Sequence, residues 1–145
     1  QIIHNAERAL INNLDELPFP ARHLIIDWKN CPPEALGNIF ATRGCPYSCV
    51  FCASNKIWSR RVRYRSASNV ISELQQLRQK FGVRQFSFED DSFTVNKKLV
   101  SDFCNGLIKE GLKIRWRCET RVDLVTKDLV AQMKKAGCEE IFLGL

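Results

Sequence analysis

The sequence predicts an α/β fold, a partial (β/α) barrel that stops after about four parallel strands. From residue 37 onward, short apolar runs alternate with amphipathic stretches that end at Gly82, Gly111 and Gly137. Such β-α-β-α order implies parallel strands joined by right-handed crossovers. A cysteine-rich loop, Cys45 to Cys52, follows the first apolar run, and parallel barrels carry their functional groups at the C-terminal ends of strands.

Residues 1–36 read differently. Asn5 to Leu14 carries Ala6, Ala9, Leu10 and Leu14 on one side, the pattern of a short helix. Leu17-Pro18-Phe19-Pro20 and Cys31-Pro32-Pro33 then impose extended or turning backbone. The expectation is a linker, or the tail of an upstream domain absent from this chain, with the barrel portion spanning 37–145.

Asn38 to Thr42 is the first expected strand. Ser68 or Asn69 can cap a helix with Val70, Ile71, Leu74 and Leu77 on one face, stopped at Gly82. Val83 to Phe88 is the second strand. Asn96 can cap a helix carrying Leu99, Val100, Phe103 and Leu107. Lys113 to Cys118 is the third strand, with Ile114, Trp116 and Cys118 on one side. Thr126 can cap a helix with Leu129, Val130 and Met133, ending at Gly137. Glu140 to Leu145 is the fourth strand. Its nearly continuous apolar run is that of a strand with neighbours, so the chain is expected to be a piece of a longer barrel with an exposed edge.

The 145 residues suffice for one domain with a core, and no apolar run approaches the roughly 20 residues of a membrane span. No basic-then-apolar leader pattern opens the chain, and a cytoplasmic location is expected. The net charge is +6, part of it in Lys56, Arg60, Arg61, Arg63 and Arg65. That stretch is either a solvated face or an attractor for an anionic substrate, nucleic acid or acidic electron donor.

There are seven cysteines, an odd number with three inside eight residues, which argues for metal binding over a disulfide framework. Cys31, Cys104, Cys118 and Cys138 are scattered and read as ordinary thiols. Cys45, Cys49 and Cys52 have the spacing C-x3-C-x2-C. Thiolates are the usual ligands of iron–sulfur clusters, and three on one loop leave the fourth iron of a cubane open to a small molecule. A zinc site or closed cluster needs a fourth ligand at similar range. The only histidines, His4 and His23, lie in the linker.

The cysteine spacing, with Phe51 just before the last cysteine, resembles the signature of the radical S-adenosylmethionine (SAM) superfamily. Arg43-Gly44-Cys45-Pro46, Trp58, Arg65-Ser66, Phe88 to Phe93, Trp116 to Asp123 and Ala136 to Leu145 resemble its cobalamin-binding-domain subgroup, and Leu17 to Arg22 resembles the linker after that domain. The resemblance implies a (β/α)6-type barrel of which this chain is the N-terminal part. It implies that Cys45, Cys49 and Cys52 bind a [4Fe-4S] cluster whose open iron is chelated by SAM. One electron then cleaves SAM to methionine and a 5′-deoxyadenosyl radical, or the site supports cobalamin-dependent methyl transfer, with cobalamin supplied by the upstream domain. A small-molecule substrate and a flavodoxin- or ferredoxin-like electron donor are the implied partners.

The same resemblance sets Glu89, Asp90 and Asp91 where many members carry a Gly-Gly-Glu run against the SAM amino group, and it puts Phe51 beside the adenine, with burial in the core as the alternative. As residues, the three acids equally suit a loop approaching a helix N-terminus. The guanidinium of Arg121 suits the SAM carboxylate, or an ion pair with Asp123. Together with Glu119, these groups follow three different strands and converge on one rim. Two other functions remain open: a radical SAM enzyme that modifies tRNA, with the basic stretch as its footprint, and an electron-transfer or structural iron–sulfur module.

Overall fold

The computed structural model describes residues 2–6, 8–58 and 60–144. Strands β1 (Asn38–Ile39), β2 (Thr42–Arg43), β3 (Arg63–Tyr64), β4 (Gln85–Phe88), β5 (Arg115–Arg121) and β6 (Cys138–Gly144) are joined by helices α1 (Ser54–Trp58), α2 (Ala67–Phe81), α3 (Lys97–Lys109) and α4 (Lys127–Lys135). Four strands form one parallel sheet in the order β1-β4-β5-β6. Each new strand is laid beside the last with no reversal, and α3 packs between α2 and α4. Strands added in one direction build the arc of a barrel, whereas a doubly wound sheet reverses its order at a switch point.

The core lies between this sheet and its helices. Strand β5 alternates strictly, with Trp116, Cys118 and Thr120 buried toward the helices. Phe88, Phe93, Phe103 and Trp116 interlock with ring centroids 4.6–6.1 Å apart, mostly edge to face. The Trp116 indole N–H donates to the Ala136 carbonyl at 2.9 Å, so its one polar atom is satisfied in the core. The opposite face of the sheet is polar. There Arg117 donates to Ser87 Oγ at 3.0 Å and stands over the Phe142 ring.

Helix boundaries follow local chemistry. Asn96 and Thr126 cap α3 and α4 as expected, each side chain accepting from the backbone N–H three residues on. Helix α2 is capped by Ser66, two residues earlier than the expected Ser68; Ser66 Oγ accepts from Asn69 N at 3.1 Å. Gly82 ends α2 at φ 73°, a conformation that glycine adopts without strain.

Four expectations are corrected. Asn5 to Leu14 is not a helix; its described residues are irregular and mostly exposed, with only Leu14 buried at the start of a 3-10 turn. A stripe of this length cannot offset helix nucleation without a surface to pack on. The first strand is shorter than Asn38 to Thr42, because Thr42–Arg43 instead pairs antiparallel with Arg63–Tyr64. The third strand runs from Arg115 to Arg121, past the expected Cys118. The fourth begins at Cys138, and its expected last residue, Leu145, lies outside the described residues.

Parts of the described 1–36 segment are docked onto the barrel. Leu14 and Leu36 are buried, and Trp28 meets Phe81 of α2 edge-on at 4.9 Å. Arg22 reaches the buried Glu73 of α2 at 2.7 Å and the Asn38 carbonyl at 2.8 Å. Arg65 takes the other Glu73 oxygen at 2.6 Å and the Phe40 carbonyl at 2.9 Å. Glu73 is only 2% exposed, so two guanidiniums and one carboxylate share a nearly dry site. Among the described residues, no helix is long and apolar enough to cross a membrane.

Removing one partner of a buried ion network leaves uncompensated charge and typically costs about 3–5 kcal/mol, whereas an exposed pair contributes about 1 kcal/mol or less. Glu73→Ala should therefore lower unfolding stability by roughly 3 kcal/mol or more. Lys98→Ala, which breaks the exposed Lys98–Asp102 pair, should change it little. Urea unfolding of the two variants beside the wild type distinguishes them.

Candidate functional site

The three cysteines of the loop lie between β2 and α1. Cys45 is buried, Cys49 half-buried and Cys52 exposed, and all are free thiols. Gly44 turns the chain into the loop at φ 96°, and a Cβ there would stand 2.5 Å from the Arg61 carbonyl oxygen. Arg43 is sandwiched between the rings of Phe40 and Trp58, at 4.6 and 4.9 Å. The loop entrance is thus held by a glycine that only glycine fits and by a cation between two aromatic faces.

Hydrogen-bond donors approach two of the sulfurs. The Ser54 backbone N–H lies 3.5 Å from Cys52 Sγ, and Arg121 Nη1 lies 3.5 Å from Cys49 Sγ. Burial pushes the Cys45 thiol above its ordinary value; Asp91 and the other two cysteines push the same way, against a hydrogen bond from the Tyr47 backbone. The three thiols therefore share one electrostatic neighbourhood. Among the described residues, no three His, Cys, Asp or Glu side chains converge tightly enough to hold a single metal ion. A cubane asks for something wider, because each of its cysteine ligands binds a different iron. Three free thiols on one loop, with N–H and guanidinium donors near two of the sulfurs, fit an iron–sulfur cluster with one open iron.

The acidic run is split by the structure. Glu89 is exposed at the end of β4, its N–H bonded to the Ile39 carbonyl. Asp90 is only 2% exposed and turns inward. Its Oδ1 accepts from Thr42 N at 2.5 Å, Thr42 Oγ1 at 2.6 Å and Ala41 N at 3.1 Å. Asp91 accepts from Ser54 Oγ at 2.7 Å. Arg121, at the end of β5, holds Asp123 with two hydrogen bonds of 2.8 and 3.0 Å and lies 4.1 Å over the Tyr47 ring. The expected ion pair with Asp123 and a position over the cysteine loop are both present. Glu119 is exposed on the same strand, and Phe51 is 83% exposed at the loop tip.

The basic stretch is divided too. Arg63 is buried and donates to the Ile11 carbonyl at 3.0 Å, and Arg65 is spent on Glu73 and Asn69. Two of its five cations are internal struts, which weakens its reading as a nucleic-acid footprint. Ser54 and Glu73 were missed by sequence reasoning. A signal existed for Glu73, a carboxylate among Val70, Ile71, Leu74 and Leu77 on the apolar face of α2. No signal marked Ser54.

The family model that matches the chain is the Radical SAM superfamily, over residues 39–145. The chain belongs to the radical SAM superfamily. Within it, the chain is 36% identical to an uncharacterized methyltransferase of Pyrococcus horikoshii, over 95% of this chain and 30% of that protein. It is 39% identical to an anaerobic magnesium-protoporphyrin IX monomethyl ester cyclase of Cereibacter sphaeroides, over 83% of this chain and 21% of that protein. The chain thus spans less than a third of the length of these curated relatives. In fold it resembles the radical SAM methyltransferase TsrM of Kitasatospora setae, whose structure holds cobalamin and a [4Fe-4S] cluster. The TM-score is 0.69 at 17% identity, over 74% of this chain and 20% of that one.

Burial raises the Asp90 carboxyl from 3.8 to about 6, against the lowering pull of its bonds to Thr42 and Ala41. A folded value above the unfolded one means that this group's contribution to stability is complete below about pH 4 and lost as pH rises through about 6. Relative to an Asp90→Asn variant, the wild type should lose on the order of 2–3 kcal/mol of unfolding free energy between pH 4 and pH 7. Urea unfolding of both proteins across that range checks the difference, because all other titrations are common to the two. A difference that stays flat would refute the assignment.

Proposed function

We propose that this chain is the cluster-bearing part of a radical SAM enzyme, in which Cys45, Cys49 and Cys52 hold a [4Fe-4S] cluster and SAM occupies the open iron. The observation that carries the reading is one loop with three free thiols, flanked by the N–H of Ser54 and the guanidinium of Arg121. The chemistry such a cluster supplies is one electron to SAM, releasing methionine and a 5′-deoxyadenosyl radical or supporting methyl transfer. The chain's own residues bind and orient. Glu89 sits at the rim, where a carboxylate meets the SAM amino group. Arg121 supplies positive charge beside the loop, and Phe51 offers an aromatic face to the adenine.

For the whole protein we propose methyl transfer to a small-molecule substrate, with cobalamin carried outside residues 37–145 and electrons delivered by a flavodoxin- or ferredoxin-like donor. The named methyltransferase relative and the cobalamin-holding structural neighbour support this reading. It favours an open catalytic cluster over a purely electron-transferring or structural one.

Anaerobic reconstitution tests the proposal. The wild type should take up close to one cubane of iron per chain, and SAM should alter the electron paramagnetic resonance spectrum of the reduced cluster. Cys45→Ala, Cys49→Ala and Cys52→Ala should each lose most of the iron, while Cys31→Ala and Cys104→Ala should load normally. Full loading of Cys49→Ala, or a spectrum indifferent to SAM, would overturn the assignment.

A further inference from the structure

We infer that the consecutive carboxylates Asp90 and Asp91 are positioning residues that brace the two limbs of the cysteine loop, with Asp91 acting on Cys52 through Ser54. The inference rests on the proposed cluster site but concerns how its loop is held. Asp90 grips the incoming limb at Ala41 and Thr42, the residues that lead into Arg43, Gly44 and Cys45. Asp91 grips the outgoing limb at Ser54, two residues beyond Cys52.

The geometry explains why these two neighbours can do both jobs. They follow the end of β4, whose backbone is fixed beside β1 by pairing of Ser87 with Asn38 and Phe88 with Ile39. The chain leaves the strand after Phe88 and turns at Asp91. Asp90 accordingly enters the core, while Asp91 faces outward onto the loop. The loop's two ends are thereby tied to adjacent residues of the turn that follows β4.

The Asp91 link has a chemical consequence. Ser54 is buried, and its hydroxyl donates to Asp91 while its backbone N–H points at Cys52 Sγ. The carboxylate restrains Ser54 at the position from which its N–H reaches Cys52. Hydrogen bonds to cysteine sulfur favour the electron-rich, cluster-bound thiolate and tune cluster potential. Asp91 thus positions the donor without touching the cluster.

The test compares reconstituted wild type with Asp91→Ala, Ser54→Ala, the double variant and Asp91→Asn. The readouts are iron release to a chelator, the spectrum of the reduced cluster, and melting of the iron-free proteins. Losing one hydrogen bond predicts iron release roughly 2- to 10-fold faster in each single alanine variant. The double variant should be no faster than either single variant, since both interrupt the same link. Asp91→Asn keeps an acceptor oxygen for Ser54 and should restore near wild-type retention and spectrum. Unchanged release in Asp91→Ala and Ser54→Ala, additive effects in the double variant, or failure of Asp91→Asn to rescue would each overturn the inference. Losses matched by lower melting of the iron-free variants would reduce the link to general stability and also overturn it. A wild type that takes up no iron refutes the cluster reading instead.

Discussion

The buried Asp90 carboxylate is the joint on which the rest of the site depends. A cysteine loop has no ladder of its own to hold it, so its backbone must be fixed by groups outside it. Asp90 places a charge in the protein interior, at a cost visible in its raised proton affinity, and receives two backbone N–H groups and a hydroxyl in return. Those bonds end at Ala41 and Thr42, where the first strand leaves the parallel sheet and enters the loop. The carboxylate in turn is aimed by β4, and β4 is seated by the aromatic cluster in which Phe88 meets Phe93, Phe103 and Trp116. Core packing is thus transmitted through this side chain to the strand that enters the cysteine loop.

A second clamp acts on the same strand. Arg22 and Arg65 bind the carbonyls of Asn38 and Phe40, and Glu73 pairs with both. Arg22 belongs to the proline-rich segment before the barrel, so that segment is mechanically joined to the strand that delivers the cluster loop. A buried ionic network is a poor way to gain stability compared with apolar packing. Its three long side chains do fix the relative position of segments far apart in sequence. For the cluster site proposed above, such placement matters more than the net energy.

The polar inner face of the sheet fits this picture. Fully enclosed parallel strands are usually apolar on both faces. Here β5 alternates, with Arg117 and Glu119 exposed on the side opposite the helices and Ser87 bound to Arg117 across the neighbouring strand. A polar face opposite the helices suits the cluster-bearing rim proposed above.

The amino-acid sequence by itself determined the parallel α/β alternation, the helix caps at Asn96 and Thr126, the buried face of Ile114, Trp116 and Cys118, and the three-cysteine loop. Each is written in local spacing: a period, a capping side chain, a ligand interval. Only the tertiary structure decided what Glu89, Asp90 and Asp91 each do, because the chain turns there and their partners lie about 40 to 50 positions away. It likewise turned Arg63 and Arg65 from surface charge into internal struts and docked a segment that reads as a linker. A carboxylate's role depends on which donors surround it and how much water reaches it, and no local pattern encodes either.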